Sequence, residues 1–96
     1  MPSHLTTAVG RKTPRDGRLE IDASAALPYV DVAASPSVTL DGRPVAGTVE
    51  RMPCSCGKGG PGHAHYFLRS AAFTGLEPGT SLHLVFDTGC IAVTRG

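Results

Sequence analysis

Residues 81–93 read Ser81-Leu82-His83-Leu84-Val85-Phe86-Asp87-Thr88-Gly89-Cys90-Ile91-Ala92-Val93, and this stretch decides the fold class. Leu82, Leu84 and Phe86 recur at every second residue, as do Ile91 and Val93, which is the period of strands with one buried and one wet face. Thr88-Gly89 supplies a two-residue turn between them. That turn pairs Asp87 with Cys90 and Phe86 with Ile91, so the apolar residues of both strands meet on one side. The opposite side carries His83, Val85, Asp87, Cys90, Ala92 and Thr94.

The same short-strand grammar runs upstream. Residues 65–69 are extended and carry Tyr66, Phe67 and Leu68; residues 70–73 give one turn of helix, and Gly75 with Pro78-Gly79 marks a loop. Residues 38–40 run into Asp41-Gly42, whose glycine tolerates the positive φ of a tight turn, and residues 45–52 return as the second arm of a hairpin with Pro44 at its edge. Leu19 and Ile21 alternate with Glu20 and Asp22 in a strand beginning at Arg18, residues 23–27 form a helical turn stopped by Pro28, and residues 29–34 read as a further strand. There is no helix-length amphipathic run, internal repeat or heptad. The expected fold is mainly β, a small antiparallel barrel-like or sandwich-like sheet with a Gly-rich metal-binding loop.

A chain of 96 residues holds one domain. Residues 1–17 are rich in Thr, Pro, Gly and Arg without periodicity and read as a flexible basic arm, leaving residues 18–96 as the small β domain. Charge divides in the same way. Residues 1–18 hold four basic side chains against Asp16, a balance of +3, whereas residues 19–96 hold five basic and seven acidic, a balance of −2. The body is therefore not a phosphate-binding surface on charge grounds, and nucleic acid is an unfavoured partner. No apolar run approaches the roughly 18 residues of a spanning helix, and no signal-peptide core is present, so a cytoplasmic, non-membrane protein is expected. An odd number of cysteines points the same way.

The chemistry concentrates in residues 54–65, Cys54-Ser55-Cys56-Gly57-Lys58-Gly59-Gly60-Pro61-Gly62-His63-Ala64-His65. Cysteines at i and i+2 of an extended segment point the same way, as do His63 and His65, and the glycines between the pairs allow the chain to fold back. Two thiolates and two imidazoles satisfy tetrahedral zinc. The single residue between the cysteines makes a short chelate, so Cys90 is the replacement ligand, in a set of Cys54, Cys56, Cys90 and one histidine. Copper(I) is the second choice of metal, with the three cysteines as its ligands. His83, four residues from Asp87, stands about 14 Å from the Cys90 end at about 3.4 Å per residue and stays outside the set. His4 reads as a surface residue of the arm.

A catalytic zinc needs an open position and a neighbouring carboxylate, and Asp87 beside Cys90 is the only acid the final hairpin brings near. Neither HExxH nor the deaminase arrangement occurs. The expected function is a zinc-binding interaction or regulatory module with a mainly structural metal; the alternative is a small metal-dependent or cysteine-nucleophile enzyme at Cys54, Cys56, His63 and His65. Tyr66, Phe67 and Phe73 with Arg69 form a candidate contact patch, for which a protein partner suits the negative body better than single-stranded nucleic acid. Self-association is a further option for a small sheet with open edges. The final segment, with Leu76-x-x-Gly79 ahead of a strand and a turn, resembles the swapped-hairpin β domains of bacterial transition-state regulators. The resemblance covers less than a quarter of the chain and lacks their basic DNA-contact pattern, so it implies no function.

Overall fold

The computed structural model describes residues 2–32, 35–53 and 64–95. In chain order its elements are β1 (Ser3–Ala8), α1 (Thr13–Asp16), β2 (Arg18–Ile21), α2 (Ala23–Ala26), β3 (Ser37–Leu40), β4 (Arg43–Val45), β5 (Thr48–Pro53), β6 (Ala64–Arg69), a 3-10 helix (Ala71–Gly75), β7 (Ser81–Asp87) and β8 (Cys90–Arg95). The strands form two sheets, one ordered β1-β7-β8-β3-β4 and the other β2-β6-β5.

The β7–β8 hairpin has the register its sequence dictates, with Asp87 opposite Cys90 and Phe86 opposite Ile91. Gly89 takes the positive φ of the turn, at 68°. Leu82, Leu84, Phe86, Ile91 and Val93 are all buried. The apolar rows continue across the sheet, with Leu84 opposite Leu5 of β1 and Ile91 beside Val38 of β3. β3 turns into β4 at Asp41 and Gly42, both at positive φ (52° and 82°), the requirement of the tightest hairpin turns. Asp41 also accepts from the Arg95 backbone N–H (2.9 Å) and from its Nε (2.6 Å), tying the turn to the end of β8.

In the smaller sheet β6 is central, with Leu68 between Leu19 and Val49. Those three side chains join Phe73, Leu82, Leu84, Phe86, Ile91 and Val93 in one hydrophobic cluster, so the two sheets share a core. At about 1.5–3 kcal/mol per fully buried large apolar side chain, this cluster is the main favourable term of the fold. Asp22 caps α2 by accepting from the Ser24 backbone N–H (3.0 Å), and Ser70 caps the 3-10 helix through Ala72 (3.2 Å).

The architecture is mainly β as expected, with differences of physical origin. Among the described residues neither sheet closes into a barrel, and the larger one is mixed rather than antiparallel, because β3 runs parallel to β8. The arm expected over residues 1–17 contains β1, paired with β7 from Ser3 opposite Phe86 to Ala8 opposite Ser81, and then α1. The ladder continues as the Val9 N–H donates to the Thr80 carbonyl (2.8 Å), and Val9 is buried. The return strand expected over residues 45–52 is divided between two sheets. At Gly47 a Cβ would lie 2.8 Å from Val38 Cγ2, so any larger residue would force Val38 to shift where the chain passes from β4 to β5. The strand expected over residues 29–34 is absent among the described residues. The Tyr29 and Val30 N–H groups instead return to the Ala26 carbonyl, and the Tyr29 carbonyl accepts from Gly89 (2.9 Å). The Gly-rich loop itself lies outside the described residues.

Candidate functional site

The arms of the β5–β6 hairpin end at Pro53 opposite Ala64, with Met52 opposite His65 one step inward. The expected ligands Cys54 and His63 are the chain neighbours of that last pair, and the ladder fixes where the intervening segment leaves and re-enters the sheet. Cys54, Cys56 and His63 lie outside the described residues.

His65 and Phe67 share the outer face of the small sheet, since Leu68 and Val49 fill the inner one. Across the ladder, Glu20 is opposite Phe67 on the flanking strand β2. From there its carboxylate reaches along the face to His65, with Nδ1 2.8 Å from Oε2. A carboxylate has no proton to give at neutral pH, so Nδ1–H is the donor, and in the neutral tautomer this leaves the lone pair on Nε2. Histidines that bind metals characteristically use this arrangement, in which an acid fixes tautomer and ring orientation from behind.

The other edge of the same face holds an ion-pair cluster. Glu50 accepts from Arg18 Nε at 2.9 Å and lies 3.6 Å from Arg69 Nη1. The hydrogen bond from Arg18 and the nearby Arg69 hold the Glu50 carboxyl below its usual range, and Asp41 is displaced in the same direction by its bonds from Arg95. A carboxyl whose folded pKa is depressed adds stability above its unfolded pKa and loses it as the pH falls through the folded value. Urea midpoints measured between about pH 7 and pH 3 are therefore expected to drop on the acid side. Glu50→Gln should lower the neutral-pH midpoint and flatten that drop; a slope unchanged by the substitution would show that the cluster does not contribute.

Of the five expected ligands, the structure describes His65 and Cys90. They belong to different sheets, and Cys90 is an exposed free thiol at the β7–β8 turn. Among the described residues no group of three or more His, Cys, Asp or Glu side chains is placed to hold a metal. The proposed aromatic patch does not form as a unit. Phe73 is fully buried and Tyr66 packs against the core, leaving Phe67 with Arg69 on the outer face. Three surface clefts have nearly equal volumes of about 430–440 Å³, so size singles out no substrate pocket among the described residues. One of them, between the β1–α1 connection and β2, is lined by Arg11 and Lys12, basic residues expected to lie in a solvated arm.

Sequence reading missed Glu20 as a partner of His65, and it missed the meeting of His4 with His83, whose rings lie 5.2 Å apart between centroids. Both contacts are products of strand register, which no local motif encodes. Among the described residues no helix is long and apolar enough to cross a membrane. No family model matches the chain, and no curated protein or solved structure matches it.

Proposed function

We infer that this protein is a small β interaction module whose β5–β6 hairpin binds one zinc ion through Cys54, Cys56, His63 and His65, with Cys90 as the alternative thiolate. The observation that carries this reading is the Glu20–His65 contact at 2.8 Å, a carboxylate set behind the histidine that stands at the mouth of the Cys- and His-bearing segment. Zinc there would tie a long Gly-rich connection to a paired stem, a structural use of the metal. An open apolar pair supports a contact surface beside the same hairpin. Val32 and Met52, exposed by 40% and 39%, are the large apolar side chains left open among the described residues, and both line one cleft with Arg18, Thr48 and Glu50. An apolar pair rimmed by charge suits a protein partner.

Untagged protein purified without oxygen is expected to carry about one tightly held zinc per chain, and its cobalt-substituted form to show thiolate-to-metal absorption. Cys54→Ser and Cys56→Ser should each reduce that absorption, and Glu20→Gln should weaken the metal by about 10- to 100-fold, the usual cost of losing the acid behind a ligating histidine. A folded, metal-free protein whose thiols alkylate rapidly would overturn the reading and favour a cysteine nucleophile.

A further inference from the structure

We propose that His4 and His83 form a second divalent-metal site on the outer face of the five-stranded sheet, independent of the hairpin and built wholly from described residues. The register creates it. Thr6 of β1 is opposite His83 of β7, so His4, two residues before Thr6, shares the outer face with His83 at a diagonal position. Diagonal neighbours in an antiparallel pair lie within reach of long or ring side chains. Here they meet, with His4 Nδ1 3.1 Å from His83 Nε2 and the rings inclined at 39°.

That separation is an ordinary hydrogen-bond distance, and it is also one that two imidazole nitrogens can keep around a single ion. With both bonds near about 2.05 Å, nitrogens 3.1 Å apart subtend about 98° at the metal. This falls between the about 90° of cis-octahedral ligands and the about 109° of tetrahedral ones. In the metal-free pair one ring donates its N–H to the other. When an ion enters, the donating ring moves that proton to its other nitrogen through solvent, and both facing lone pairs become ligands, so no net proton is gained or lost. His4 is exposed and His83 half-buried, which leaves the ion open to water for its remaining positions. Two imidazoles suit zinc, copper(II) and nickel(II) and disfavour magnesium and calcium.

The site has a structural consequence. β1 is an edge strand, held on one side to β7. An ion bridging His4 and His83 would clasp it there, and a ligand that binds only the folded chain raises the melting temperature with the logarithm of its concentration once that exceeds Kd.

The test is a zinc titration of the full chain by calorimetry, together with NMR of the histidine ring protons. In the Cys54→Ser/Cys56→Ser variant, about one zinc should still bind, moving the ring signals of His4 and His83, because its ligands are nitrogens of the sheet face. His83→Ala on that background should abolish this uptake. His4→Gln, at an exposed edge position where folding is not at stake, should weaken it at least about tenfold, since a two-ligand site cannot survive on one. Zinc uptake unchanged by both histidine substitutions, or absent from the Cys54→Ser/Cys56→Ser chain, overturns the proposal. Failure of the hairpin reading gives a different result: the wild type then takes up only the zinc that His83→Ala removes, and its cobalt form lacks thiolate absorption.

Discussion

Removal of residues 1–9 is expected to unfold the protein or to lower its unfolding free energy by at least about 4 kcal/mol. The deletion takes away the whole of β1, whose register with β7 runs from Ser3 opposite Phe86 to Ala8 opposite Ser81. Ladder hydrogen bonds contribute about 0.5–1.5 kcal/mol each after exchange with water, and burying Val9 adds about 1.5–3 kcal/mol. Leu5 also packs against the core beside Leu84. Against these stands the entropy of ordering the segment, about 1–2 kcal/mol per residue, which is why the net figure is a fraction of the gross one. A domain of this size has about 5–15 kcal/mol in total, so the loss is decisive. A solvated basic arm would change stability by no more than about 0.5 kcal/mol. Urea denaturation followed by circular dichroism separates the two, and removal of residues 1 and 2 alone, outside the paired register, should leave the midpoint where it was.

The contrast between β1 and the β7–β8 hairpin shows what a single sequence reveals. Leu82, Leu84 and Phe86 alternate without interruption and are followed by a glycine turn, so strand, register and buried face were all legible. β1 presents Ser3, Leu5 and Thr7 inward, a face with one large apolar residue, and its partner lies at the other end of the chain. Edge strands bury little, and the pattern they leave is correspondingly faint. The division at Gly47 was hidden for another reason. Val45 and Val49 keep the strand period through it, and the close approach to Val38 at the crossing is not contained in the local sequence. The ligand types clustered in residues 54–65 were plain to read. The supporting contacts were not, because Glu20 and His65 are 45 residues apart and His4 and His83 are 79 apart. Such pairs exist only once the strand order is known, and strand order follows from long-range burial rather than from local spacing.

Gly17→Ala is expected to cost about 2–5 kcal/mol, well above the same change at Gly79, because two separate penalties coincide at Gly17. Both glycines have positive φ, 68° and 88°, and an L side chain in that region costs about 1–2 kcal/mol. At Gly79 a Cβ would meet nothing within 4 Å, so that cost is the whole effect. At Gly17 it would stand 2.7 Å from the Ser70 carbonyl oxygen, a backbone atom that cannot rotate away. The approach is close because the Gly17 carbonyl accepts from the Ser70 N–H (2.8 Å), directly before Arg18 and Arg69 begin the β2–β6 ladder. Relieving the overlap, worth about 1–3 kcal/mol, would pull β2 from β6 at the end where Arg18 meets Glu50. The difference between the two variants in urea midpoint therefore measures the closeness of the Gly17–Ser70 crossing alone. Equal costs would mean that the backbone there relaxes freely, and that the strand positioning Glu20 behind His65 is less firmly held than this geometry requires.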